Sequence, residues 1–170
     1  LLLLGADSAG RDIFARLLYG ARLSLALAVA ATLGAIVIGI AFGGVARYAG
    51  GTTHEVLSRF SDFVLVLPAI YVVLALRAVL PLVLPDATVF ALMAGIFALV
   101  GWPFVARGVR AIVAAERNHE YAQAARALGP GHRRMLTRHL LPAACAYLLV
   151  QATLLLPAFI LAEATMSYVG

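Results

Sequence analysis

Two charges stand inside or beside long apolar runs of this chain. Arg77 sits in LALRAVLP and Glu163 in ILAEATM. A charge held in lipid costs roughly 2.5–3.5 kcal/mol even on lenient scales, so each needs water, a headgroup or a partner. Three readings of Arg77 stand open: it reaches the outer headgroups, it lines a translocation path, or it pairs with Glu163. The path and the pair are equally open to Glu163. Other reactive types are poorly placed. His54, His119, His132 and His139 lack metal-ligand spacing and read as solvated or loop histidines, so no metal is expected. Ser24 and Ser167 have no base in a recognisable motif, which argues against a hydrolase. Cys145 is the single cysteine; it makes no internal disulfide and reads as a small core residue. No GxxxxGK[ST] loop occurs, so ATP hydrolysis is not expected here. An intramembrane enzyme would need facing catalytic groups, and only Arg77 and Glu163 are available. No catalytic residue and no cofactor is expected.

The elements that hold these residues read as membrane helices. The chain is 64% hydrophobic and 12% charged over 170 residues, with a mean hydropathy of +0.99. A soluble fold of this size could not hide so much apolar surface, so a lipid bilayer is the expected solvent. Four apolar runs follow one another: Leu23 to Ala46, Phe63 to Pro85, Ala87 to Ala106, and Leu140 to about Ala162. The first carries no charge and is about 36 Å long as a helix, enough to span. Gly34, Gly39, Gly43 and Gly44 within it suit close helix packing. Pro68 and Pro103 are expected to kink their helices, and Trp102 reads as an aromatic at the membrane interface. Residues 1–22 read as an outward-facing amphipathic segment preceding a transmembrane region at 23–170. In it Asp7 and Ser8 cap a short helix bearing Ile13, Phe14, Leu17 and Leu18, and Asp7 and Asp12 cap or pair with Arg11 and Arg16. The start at Leu1 and the stop at Gly170 in mid-pattern suggest a piece of a longer protein.

All 13 cations are arginine, against 8 acids. A net charge of +5 would suggest nucleic acid in a soluble protein. Here the arginines flank apolar runs, which is an orientation signal, and no nucleic acid is expected. With four spans, the loop 47–62 and the segment 107–139 share one side and carry nine arginines, Arg47 and Arg59 with seven between 107 and 138. The opposite side has Arg11, Arg16 and Arg22. The excess puts 107–139 in the cytoplasm.

That segment contains EYAQAARALGPGHRRMLTRHLLP, from Glu120 to Pro142. Residues 107–128 are rich in Ala, Arg, Glu and Leu and read as one helix. Gly129 stops it, and Pro130 opens a second helix that runs to Pro142. Tyr121, Ala125 and Leu128 fall on one narrow face, while Ala122, Ala124 and Ala127 keep the rest low in relief. A smooth face beside a sharp turn suits a groove on another protein. A basic helix lying on headgroups is the alternative from physics alone.

QAARALGPGHRRMLTRHLLP at 123–142 resembles the EAA loop of ABC-importer permeases. The family pattern is Glu-Ala-Ala, three residues, Gly, nine residues, an apolar residue, one residue, Leu-Pro. Ala124, Ala125, Gly129, Leu141 and Pro142 fit at that spacing. Gln123 replaces the usual Glu, which removes a possible salt bridge and leaves a neutral hydrogen bond. His139 stands at the apolar position, as in the dipeptide, oligopeptide and nickel branch. LGADSAGRDIFARLLYGARLSL at 4–25, SDFVLVLP at 61–68, GWPFVARGVR at 101–110 and LAEATMSYVG at 161–170 are similar to elements of that branch.

The resemblance implies an all-α polytopic transmembrane helix bundle with about four spans and a cytoplasmic coupling loop at about 107–141. It implies a permease subunit that moves peptides, nickel or related small solutes and is not itself an enzyme. Its partners would be a second permease, two ATP-binding subunits and an extracytoplasmic solute-binding protein, in a bacterial or archaeal inner membrane. Gln123, Ala124, Ala125, Gly129, Leu141 and Pro142 would form or flank the element docked on the ATPase. A secondary transporter or channel subunit with a basic surface helix is the competing reading.

Overall fold

The computed structural model describes residues 4–7, 9–49, 51–78, 85–129 and 131–169, without the side chains at 46–49, 53, 76, 77, 132, 133 and 169. Among the described residues the fold is all-α. Helices α1 (Ile13–Ala49), α2 (Gly51–Val66), α3 (Ala69–Ala78), α4 (Asp86–Glu116), α5 (Glu120–Ala127) and α6 (His132–Met135) follow in order. A π turn, Leu136–Leu140, and a 3-10 turn, Leu141–Ala144, then lead into α7 (Cys145–Val169).

Three stretches are long and apolar enough to cross a membrane: Ile13–Val45, Asp86–Glu116 and Leu136–Tyr168. The second expected run is different in shape. It starts earlier, inside the expected polar loop, and it is broken: His54–Val66 and Ala69–Ala75 meet at 87°. Pro68 sits at the break. It lacks an amide hydrogen and disfavours helical geometry at Leu67, so the hydrogen-bond ladder is interrupted there. Pro103, by contrast, leaves α4 unbroken.

The packing decides how often the chain crosses. α1 lies directly on α4. A Cβ at Gly34 would meet Ala98, one at Gly39 would meet Val105, and one at Gly43 would meet the Ala106 backbone. Contact positions rise together on both helices, so α1 and α4 run parallel. Asp86 must then lie near the level where α1 begins, and Gly51 near the level where it ends. Parallel neighbours need a returning segment between them, and the bent pair, counted as one span, supplies it. With α7 the described residues then give three long spans and up to four in all. α7 runs antiparallel to α4: Gly108 abuts Tyr147, and Gly101 abuts Phe159.

Small residues make this closeness possible. Ala28, Ala31 and Ala35 are almost wholly buried on the glycine side of α1. Without a strong hydrophobic force between helices in lipid, close van der Waals contact is what joins them. The glycines read from sequence as packing residues do that work.

Several local expectations change. Trp102 is only 3% exposed, with the rings of Phe42 and Phe60 centred 4.7 and 6.0 Å away. It is an interhelical residue, because rings from α1 and α2 cover it. Cys145 is exposed at the start of α7 instead of lying in the core. The expected amphipathic helix is simply the first turns of α1. Its cap is Asp12, whose Oδ1 accepts the amides of Phe14 (2.9 Å) and Ala15 (3.4 Å). Asp7 instead ties the preceding loop, accepting the Ala9 and Arg11 amides and pairing with Arg16 at 2.6 Å. The Arg11 amide foremost, helped by Ala9 and Arg16, lowers the Asp7 pKa below its usual value. Ser8 lies outside the described residues.

Candidate functional site

The expected single helix over 107–128 is broken once. α4 ends at Glu116, residues 117–119 turn, and α5 begins after an extended His119. Asn118 is a weak helix former and sits in that turn. Its carbonyl accepts a hydrogen bond from the Gln123 side-chain amide at 3.0 Å. The imidazole of His119 lies 3.9 Å from the Glu116 carboxylate and stacks on Tyr121.

α5 is fastened on both sides. The Tyr121 hydroxyl donates to Glu116 Oε2 at 2.6 Å, with the His139 carbonyl as a second acceptor at 3.3 Å. One end of that contact lies on α4 and the other in the π turn. The Glu116 hydrogen bond holds the Tyr121 pKa up to about 12. The raised value means this contribution is complete below about pH 10 and fades as pH climbs toward 12.

Ala122 is fully buried and Ala125 nearly so. They seat α5 against the rest of the chain. The face expected from Tyr121, Ala125 and Leu128 is therefore split, and Ala122 is no part of the outer surface. The open side carries Gln123, Ala124, Arg126, Ala127 and Leu128, the last 88% exposed.

Gly129 has φ +68°, and an added Cβ there would meet nothing within 4 Å. The elbow needs glycine for its backbone conformation, not for space. Pro130 lies outside the described residues. Beyond it the chain does not stop at Pro142 but passes through it. Pro142 offers no amide to the preceding turn, and the helix adapts by a π turn followed by a 3-10 turn. Leu141 is half-buried beside Gly44, and Pro142 is exposed. Gln123, Ala124, Ala125 and Gly129 thus gather at one elbow, with Leu141 and Pro142 where the following helix enters the bundle.

The two intramembrane candidates stand apart from this elbow. Glu163 is half-buried in α7. Arg77 belongs to α3, but its side chain lies outside the described part, so a pair between them has no geometry to report. A polar set that spacing alone does not reveal joins α2 to α4. Ser61 is buried and accepts from Arg110 Nη1 at 3.2 Å, and Asp62 Oδ1 lies 3.5 Å from Arg110 and 3.7 Å from Arg107. In the sequence Arg107 and Arg110 count only as orientation charges. Their spacing of three, one turn of α4 beyond an apolar run, is the available signal.

Parallel and antiparallel apolar helices around a glycine-lined contact, with a fastened helical elbow at one end, define a multi-pass membrane component. The chain belongs to the family of binding-protein-dependent transport system inner membrane components, whose pattern covers residues 16–170. It is 37% identical over 172 residues to the oligopeptide transport system permease protein OppC of Bacillus subtilis (strain 168), covering 98% of this chain and 52% of that protein. It is 36% identical over 166 residues to the dipeptide transport system permease protein DppC of the same organism, covering 98% and 50%. The peptidoglycan transport system permease protein YejE of Agrobacterium fabrum is 34% identical over 167 residues, covering 98% and 42%. The chain spans about half the length of the curated relatives it matches.

Proposed function

We propose that this chain is part of a permease subunit of an ATP-driven importer that carries peptides across a bacterial or archaeal cytoplasmic membrane. The observation that carries the reading is the elbow at α5. It is anchored to α4 and to the entrance of α7, yet its other side is open, presenting Ala124 and Ala127 together with Gln123, Arg126 and Leu128. A handle must be stiff toward the spans and free toward a motor, and this one is both. The relatives' names supply the cargo class. The motor would be a pair of ATP-binding subunits, with a second permease beside this one and a solute-binding protein outside. Gln123, Ala124, Gly129, Leu141 and Pro142 form or flank the docked element, while Ala125 seats it.

Glu163 and Arg77 are the proposed path residues, with Glu163 weighted first because it lies in the family-like ending. Uptake unchanged by both Glu163→Gln and Arg77→Leu would remove them from the path.

Crosslinking tests the handle directly. With Cys145→Ser as background, single cysteines are placed at Ala124, Ala127 and Leu128 of the assembled transporter, all on the open side. Capture of an ATP-binding subunit, at a yield that changes with ATP, is the expected result. Capture of neighbouring membrane helices alone would favour a secondary transporter with a surface anchor.

A further inference from the structure

We propose that Ser61, Asp62 and Arg110 are positioning residues that pass motion of α4 to the bent α2–α3 pair. This rests on the coupling role of α5 given above. α4 and α1 are joined by direct backbone-close packing, so a push at the end of α4 carries α1 with it. α2 has no glycine-lined contact of that kind among the described residues. Its joins to α4 include the Phe60–Trp102 stack and this polar set.

The set is built as a pivot. The Arg110 side chain is only 14% exposed, and a buried cation requires compensation. The Ser61 hydroxyl donates into its own helix, to the carbonyl of Leu57 (2.9 Å) or Ser58 (3.0 Å). Its lone pairs are thereby left for Arg110. Asp62 Oδ1 is buried and makes no hydrogen bond among the described residues. Its compensation is the charge of two guanidinium groups, at 3.5 and 3.7 Å. The charge attraction at Asp62 holds the two helices together without fixing an angle, and the single Arg110–Ser61 hydrogen bond is the point about which one can turn on the other. Arg110 lies about 9 Å from the end of α4 at Glu116, next to the turn that leads into α5. A displacement entering at α5 reaches this pivot before it reaches the middle of the bundle.

The test uses the assembled transporter in proteoliposomes, with a labelled pool of short peptides as probe and uptake per ATP hydrolysed as the readout. Asp62→Asn is expected to lower that ratio about tenfold, within the ordinary span of coupling free energies. The ATP-binding subunit should still co-purify in wild-type amount, and Asp62→Glu should retain most of the ratio. Wild-type coupling in Asp62→Asn, or equal loss in Asp62→Glu, overturns the pivot. If Asp62→Asn does not fold, Ser61→Ala decides: a fall of about fivefold supports the pivot and no change overturns it. Wild-type protein that fails to retain an ATP-binding subunit overturns the coupling role itself and the pivot with it.

Discussion

Gly43→Ile is expected to force α1 away from α4 and to remove about 3 kcal/mol of stability, the upper end of ordinary overpacking. A Cβ added at Gly43 would lie 2.5 Å from the Ala106 carbonyl oxygen, 3.0 Å from the Ala106 Cα and 3.1 Å from the Val109 Cβ. The first two are backbone atoms. They cannot rotate aside as a side chain would, so the helices themselves must part. Parting costs more than one contact, because Gly39 and Gly34 share the same seam. Gly20 is the internal control, since it belongs to the same helix with nothing within 4 Å of an added Cβ. Thermal unfolding of the purified protein in detergent should show a large loss for Gly43→Ile and little for Gly20→Ile. Equal behaviour of the two would mean that the α1–α4 seam is not tightly packed.

Gly129→Val is expected to leave membrane insertion intact and to lower uptake about tenfold. The left-handed conformation at φ +68° costs a residue with a Cβ about 1–2 kcal/mol, more for a β-branched one. That is about a factor of ten in any equilibrium that needs the elbow in its present angle. Crowding plays no part, because the position is open. The order of activity should therefore follow backbone tolerance and not size: Gly, then Asn, then Ala, then Val. Membrane-inserted amounts measured alongside separate this from misfolding. A well-expressed Gly129→Val protein with normal uptake would show that the elbow angle does not matter.

Much of this is readable from residue order. Apolar run length marks spans because a helix rises a fixed distance per residue, and parity of four spans puts α1 and α4 parallel, as the packing has them. Gly129 is identifiable because few other residues end a helix that way. The glycines of α1 are identifiable as packing residues, although not which helix they meet. What escapes is direction. Hydropathy counts apolar residues without saying where they point, so Trp102 looks like an interface residue and Cys145 like a core one. Ala122 looks like outer surface because alanine is equally at home on either side of α5. The 87° bend escapes in degree: Pro68 announces an interruption, but neighbours set its angle. The break at 117–119 is masked by strong helix formers on both sides, Ala-Ala-Glu before it and the alanines of α5 after it. Ser61, Asp62 and Arg110 escape because their meeting depends on two helices whose relative rotation no single stretch encodes.

The π turn at 136–140 has an effect on heredity as much as on shape. Met135 and Leu140 are both buried although five positions apart, a spacing that an unbroken α-helix would place on different sides. One additional residue has been absorbed into the turn. Losing a single codon there would shorten α7 scarcely at all. It would let the π turn close into an ordinary α turn and keep Leu155, Phe159 and Met166 facing inward, whereas the same loss within the regular part of α7 would rotate everything beyond it by about 100°. The π turn is thus the one described joint of this segment where a one-residue loss leaves the downstream facing intact; in the regular helix beyond it the same loss is a rotation.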